Sequence, residues 1–327
     1  MNFRLRLVAG IAAACLVASA PASPQQPYPS KPVRMVVPFA PGGASDFVGR
    51  MLQKRMSELL GQQVVIDNRP GAAGNIGVEL AAKAPADGYT VLLGNIGTMA
   101  INPTLYPSFP VRPARDLIPV TQVVDVPGAL VSHPSLPVKT IKDLVAYAKA
   151  HPGKLNFASP GAGSLARLDM ELFMLDAGVK MMNVPFKGGA GPATTSVVSN
   201  ETQLMMVSLS SIVSLVQQGR LRLLGVVAPK RVTVAPDVPT LAESGYANLT
   251  GGAWQGMFLP AGTPATIVQQ IFTVTHKTLA DGEIARRLVE GGVDVVTSAS
   301  PREFAGLVER ETALWAKVIK AANITAE

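Results

Sequence analysis

The chain carries few of the residues that break covalent bonds. Its three histidines are His133, His151 and His276, and its one cysteine is Cys15. No two histidines stand at a spacing that turns both rings onto one ion, so no metal centre is expected. Ser164 opens a helix-patterned run, where serine ordinarily caps the backbone, and the sequence names no base that could activate it. The G-x-S-x-G elbow is absent. G-x-G-x-x-G and G-x-x-x-x-G-K-[ST] are absent too, so no nucleotide or other cofactor is expected. What recurs is glycine between a strand-like run and a helix-like run. It does so at Pro41-Gly42-Gly43-Ala44-Ser45-Asp46, Gly94-Asn95-Ile96-Gly97-Thr98, Pro160-Gly161-Ala162-Gly163-Ser164 and Lys187-Gly188-Gly189-Ala190-Gly191.

A helix that starts on such a turn leaves its first N–H groups without intrahelical acceptors. The positive end of the peptide dipoles lies there as well. Both suit an oxyanion, and glycine lets it come close to the backbone. Tight strand-to-helix turns account for the same glycines without a ligand, and the turns alone leave both readings open. Asp46 reads either as dipole compensation in a first helical turn or as a group that fixes the turn from behind. In direct contact it would repel an anion.

The elements that must position these turns follow from periodicity. Val33 to Phe39 is a short apolar run suited to a buried strand. Phe47, Val48, Met51, Leu52, Met56, Leu59 and Leu60 have helical spacing, with Gly61 placed to end the helix. Thr140-Ile141-Lys142-Asp143 resembles a capping box that opens a helix to Ala150. Strand, glycine-rich turn and helix alternate along the chain, which predicts α/β layers built on mainly parallel sheets. The proline-rich stretches Asn102 to Pro113 and Pro229 to Pro239 separate blocks of these units. They divide the chain into a discontinuous lobe 1 over 23–105 plus 229–327, whose C-terminal helix reaches across lobes, and a lobe 2 over 106–228. Two lobes joined by two linkers can hinge on a ligand held in the cleft.

Met1 to Arg6 is a basic head, Leu7 to Ala18 an apolar run, and Ala20-Pro21-Ala22 a small-residue cleavage pattern. Residues 1–22 therefore read as a secretory signal peptide. Lipoprotein acylation at Cys15 is the alternative. Either way the processed chain keeps no structural thiol chemistry. The chain is 48% hydrophobic and 16% charged, too apolar for disorder. Without Arg4 and Arg6 it has 27 basic against 22 acidic residues. These charges are scattered, so nucleic acid is not an expected partner.

Longer motifs resemble one family. Tyr28-Pro29-Ser30-Lys31-Pro32-Val33-Arg34 is followed by Val37-Pro38-Phe39-Ala40-Pro41-Gly42-Gly43-Ala44-Ser45-Asp46. Val65-Ile66-Asp67-Asn68-Arg69-Pro70-Gly71-Ala72-Ala73-Gly74-Asn75 and Ala86-Asp87-Gly88-Tyr89-Thr90 come next. Asn102-Pro103, Val184-Pro185-Phe186-Lys187-Gly188, Asp237-Val238-Pro239-Thr240 and Pro260-Ala261-Gly262-Thr263-Pro264 complete the series. Together, in this order, they are similar to the Bug proteins, the substrate-binding receptors of tripartite tricarboxylate transporters.

The resemblance implies a periplasmic two-lobed Venus-flytrap fold. It implies a monomer that binds a small organic acid and presents it to membrane permease subunits, a binding protein rather than an enzyme. The ligand would be a di- or tricarboxylate, an aromatic acid or an acidic amino acid. It implies ligand contacts by backbone groups and waters at Phe39, Ala40, Gly42, Gly43, Ala44, Ser45 and Asp46, and at Asn95, Gly97 and Thr98. On the second lobe it implies Gly161, Gly163, Ser164, Lys187, Gly188, Gly189 and Ala190, with Arg167 as a further candidate.

The chain departs from the family pattern at Met99, Arg167, Ser196 and Thr202-Gln203. Histidine is expected at the first two positions and an acidic residue at Ser196 and in the last pair. Arg167 could pair a second ligand carboxylate, or sit as an ordinary surface arginine. A receptor for a two-component sensor and a secreted α/β hydrolase are the alternative functions.

Overall fold

The computed structural model describes residues 28–161, 164–186, 189–249, 251–321 and 324–326. The expected leader, Cys15, and the candidate residues Gly163, Lys187 and Gly188 lie outside the described residues. In chain order the elements begin with β1 (Val33–Val37), α1 (Ala44–Leu60), β2 (Val64–Asn68), α2 (Asn75–Ala82) and β3 (Thr90–Asn95). The next are α3 (Asn102–Leu105), α4 (Pro113–Asp116), β4 (Leu117–Val126), β5 (Gly128–Ser132) and α5 (Ile141–Ala150). Then come β6 (Asn156–Ser159), α6 (Leu165–Ala177), β7 (Met182–Pro185), α7 (Ala190–Val198), β8 (Leu204–Ser208) and α8 (Val213–Gln217). The chain finishes with β9 (Arg222–Val227), β10 (Ala253–Pro260), α9 (Ala265–Leu279), α10 (Gly282–Glu290), β11 (Asp294–Val295) and α11 (Pro301–Ala321).

The strands make two sheets, a six-stranded one in the order β11-β4-β10-β3-β1-β2 and a five-stranded one in the order β7-β6-β8-β5-β9. Each is covered by helices on both faces. Alternation along β1 sends Val33, Met35 and Val37 into a core under α1 and α9, while Val36 joins a second core with α2 and α11. In the smaller sheet Leu130 faces α5 and α6, and Ala129 and Val131 face α7. Thr140 and Asp143 form the expected capping box at α5, and α1 ends at Gly61 in the left-handed conformation.

Two expectations are corrected. Both sheets are mixed, not mainly parallel: β10 runs antiparallel to β3 and β4, and β5 antiparallel to β8 and β9. The cause is the double crossing between the lobes. β4 runs out of the larger sheet towards the second lobe, and β10 returns from it, so the start of β10 (Ala253) lies opposite the end of β4 (Val126). Both lobe boundaries, at 105/106 and 228/229, also move. β4 is a member of the larger sheet, and the chain crosses at Pro127 rather than in the proline-rich stretch before it. Val232, Leu241 and Leu249 pack in the cores of the smaller sheet and Thr240 bridges Val226 of β9, so the chain returns to the first lobe just before β10 rather than at 228/229. α11 packs against β4 and α3 of the first lobe. It also meets α6 of the second lobe, whose Leu165 and Leu168 join the core that holds Phe304 and Trp315 of α11 and Trp254 of β10.

Candidate functional site

The strand directions bring the glycine-rich turns together. β1, β2 and β3 are parallel to one another, so their C-terminal ends lie at the edge of the sheet where β4 leaves. In the smaller sheet β6, β7 and β8 are parallel, and Ser208 at the end of β8 lies opposite Gly128, the first residue after the crossing. The turns after β1, β3, β6 and β7 therefore all rise from edges that face the gap between the lobes, the usual ligand position of open α/β sheets.

The first turn is held from below. Asp46 is 4% exposed. Its Oδ2 accepts from the Gly42 N–H (2.9 Å) and from Arg50 Nε (2.9 Å), and its Oδ1 accepts from Asn68 Nδ2 (3.1 Å). The same Asn68 amide donates to Phe39 O at 3.0 Å. Burial pushes the Asp46 carboxyl up, but the Arg50, Gly42 and Asn68 donors outweigh it and hold the group below the usual carboxylate range. Asp46 thus clamps the turn through the Gly42 N–H, the second of the two roles read from sequence. The first donor of α1 to find an acceptor is Phe47 N–H, on Gly43 O at 2.9 Å. No acceptor among the described residues meets the N–H groups of Ala44, Ser45 and Asp46. Gly42 and Ala40 are exposed, and nothing lies within 4 Å of where a Gly42 side chain would begin.

Behind this turn the backbone is close-packed. Gly74 has φ of +92°, and a Cβ there would come within 2.6 Å of Thr98 Cγ2 and 3.3 Å of the Phe39 ring. Thr98 is fully buried, and it closes a reciprocal pair with Asn95: Asn95 N–H donates to Thr98 Oγ1 (3.1 Å) and Thr98 N–H to Asn95 Oδ1 (3.0 Å). Gly97 begins one turn of wide helix over Gly97–Ile101. Met99, one of the departures from the expected pattern, is a core residue at 1% exposure.

On the second lobe Ser164 caps α6. Its Oγ donates to Gly161 O (2.8 Å) and accepts from Arg167 N–H (3.3 Å), so the hydroxyl is engaged by the backbone. Arg167 is no surface arginine: its side chain is 13% exposed, and Nε lies 3.7 Å from Glu171 Oε1. Gly189 and Ala190 open α7, whose first backbone bond is Ala193 N–H to Gly189 O at 3.4 Å. The remaining departures are compensated inside this lobe. Ser196 Oγ and Thr202 Oγ1 are buried 2.7 Å apart, and Gln203 Oε1 accepts from Asn156 N–H at 3.0 Å. Neutral partners replace the expected acidic ones without leaving a charge in the fold.

The histidines take structural roles. His133 hydrogen-bonds Ser135 (2.7 Å), His151 stacks on Tyr147, and His276 stacks on Phe272 and meets Thr121 Oγ1 at 3.1 Å. Among the described residues no cluster of three metal-ligating side chains occurs.

Several polar groups at the facing edges escaped the sequence reading. Gln255 lies opposite Asn95 in the sheet and is 2% exposed, with Oε1 unpartnered; Ser159 Oγ, at the end of β6, is unpartnered too. Asn68 was visible only as part of a longer motif. A glutamine within the apolar run Trp254 to Pro260 was the signal that could have marked Gln255.

Two mixed sheets joined by a double crossing, with helix N-termini along the gap, define a two-lobed solute-binding protein. The chain belongs to the tripartite tricarboxylate transporter receptor family, whose model matches residues 48–324. It is 35% identical to the protein BugT of Bordetella pertussis over 318 residues, covering 97% of each chain. It is similar to the solved structure of Rpa4515 of R. palustris with adipate (TM-score 0.87, 36% identity, 91% of this chain and 99% of that one). It also resembles MatC of Rhodopseudomonas palustris with bound malate (TM-score 0.82, 32% identity, 89% of this chain and 100% of that one). The family is one of transport receptors, a binding class. No helix among the described residues is long and apolar enough to cross a membrane.

Proposed function

We propose that this protein is an extracytoplasmic receptor that closes on a small organic carboxylate in the interlobe cleft and delivers it to the permease of a tripartite tricarboxylate-type transporter. The observation that carries this reading is the row of unsatisfied amides at Ala44, Ser45 and Asp46, on a turn clamped by Asp46 at the lobe-facing edge. Preorganised N–H donors hold a carboxylate with no ordering cost at the moment of binding. Gly161 to Ser164 and Lys187 to Ala190, on the opposing lobe, would complete the grip, with waters bridging the remaining distance. The adipate and malate of the two related proteins support the same ligand chemistry. Residues 1–22 would direct export and be removed, and the receptor would act as a monomer.

Native mass spectrometry of the protein purified from cells, followed by calorimetric titration with organic acids, tests the reading. A retained small acid and saturable binding of at least one carboxylate are expected. Uniform failure of mono-, di- and tricarboxylates to bind or to raise the melting temperature would overturn it.

A further inference from the structure

α6 carries a carboxyl group that the fold does not use. Asp169 is 6% exposed, and among the described residues no side chain or backbone group donates to it or pairs with it. Burial alone raises its carboxyl to about 8. A buried acid without a partner costs the fold stability, and such groups concentrate at functional sites.

Its position follows from helix geometry. Successive residues on a helix are turned by about 100°. Leu165 and Leu168 point to the first lobe, where they meet the core of Trp254 and Phe304, whereas Met170 and Phe173 point into the second lobe's own core. Asp169 falls between these two directions and faces the seam of the lobes. Its Oδ2 lies 3.9 Å from the point where a side chain on Gly128 would begin, and Gly128 is the first residue after the hinge crossing. Asp169 also stands only five residues beyond Ser164, about 8 Å along the axis from the capped turn that borders the cleft. Arg167 does not neutralise it, because that side chain lies on the far side of the helix beside Glu171.

We propose that Asp169 is a specificity-determining residue at the hinge end of the cleft, and that it selects an organic acid carrying a protonated amine. This deepens the proposed receptor function and rests on it: the amides of the turns take the carboxylate, and Asp169 takes the ammonium. A hydrogen bond to a second carboxylate or to a hydroxyl could be donated by asparagine without the cost of a buried acid. Only a cation uses the charge. Ionised opposite an ammonium, Asp169 forms a charge-assisted pair in a site from which water is largely excluded.

The test uses acids matched in skeleton, with and without an α-ammonium: aspartate against succinate, and 2-aminoadipate against adipate. Each is titrated calorimetrically into the full chain and into Asp169→Asn and Asp169→Ala. The wild type is expected to bind at least one aminated acid about tenfold or more tightly than its counterpart, the scale of one charged hydrogen bond. Both variants should lose that preference while keeping their affinity for the acid without the amine. Unliganded, Asp169→Asn should melt higher than the wild type at pH 8 and above, which a structural carboxylate would not allow. Equal or better wild-type binding of the acids without an amine overturns the proposal, as does an unchanged preference in the variants. If no acid of either kind binds, the receptor reading itself fails.

Discussion

Asp46→Asn tests the clamp behind the first turn. The substitution keeps the size of the side chain but replaces one carboxylate oxygen by a second donor. Oδ2 faces Gly42 N–H and Arg50, and Oδ1 faces Asn68 Nδ2, so either orientation of the new amide sets a donor against a donor. At least one charge-assisted hydrogen bond is lost, and each is worth about 1.5–3 kcal/mol. Arg50 adds little, because its side chain is 49% exposed and solvent screens the pair. A loss of about 2–4 kcal/mol follows for the whole clamp. At about 2–4 °C per kcal/mol for a protein of this size, the melting temperature should fall by roughly 5–15 °C. Binding should weaken by about tenfold or more, because the Ala44 to Asp46 amides must then be ordered by the ligand. Scanning calorimetry and titration of the same samples read both effects. The donors hold the Asp46 carboxyl low, so its contribution is present above its unfolded value and vanishes as pH falls through the folded value. The gap between wild type and variant should therefore close below about pH 4. An Asp46→Asn protein with wild-type melting temperature and affinity would refute the reasoning.

Other perturbations probe the frame. Gly74→Ala, at φ of +92° and 2.6 Å from Thr98 Cγ2, should destabilise by about 1–3 kcal/mol and weaken binding by pushing Thr98 and Phe39; thermal melting and titration check it. Asp125 at the hinge is raised to about 6 by burial, by Asp294 opposite it in the sheet and by Glu311, against a backbone hydrogen bond at Val126 that lowers it. The native state therefore holds that proton longer than the unfolded chain. Stability should fall as pH rises from about 4 to 6, and Asp125→Asn should flatten that part of the profile in denaturant titrations. His276, its charged form disfavoured by burial, should give the opposite slope, with stability lost as pH falls below about 6.5; His276→Gln should remove it.

The local pieces of the fold were legible because each has a local cause. Period 3.6 after Phe47, the glycine at 61 and the Thr140–Asp143 box all act within a few residues. Strand direction was not legible, because β10 is antiparallel only by virtue of returning from the other lobe. The prolines of 102–113 suggested a linker, yet α3 and α4 form there and β4 stays in the larger sheet, since its partner β10 lies far along the chain. Glycine and helix starts marked the turns as candidate anion sites. Asp169 was passed over because a single aspartate in a helix ordinarily reads as a solvated face. Its burial arises from tertiary packing, with Oδ2 beside Gly128 of β5, far away in the chain.

The central claim concerns main-chain amides along the interlobe edge. Nitrogen-15 amide spectra of the full chain, recorded during titration with adipate and aspartate, test it most directly. The account predicts that the largest shifts fall at Gly42 to Asp46, with a second group at Leu165 to Arg167 and Ala190. Saturable binding of either acid that leaves the Gly42 to Asp46 amides unmoved would contradict it.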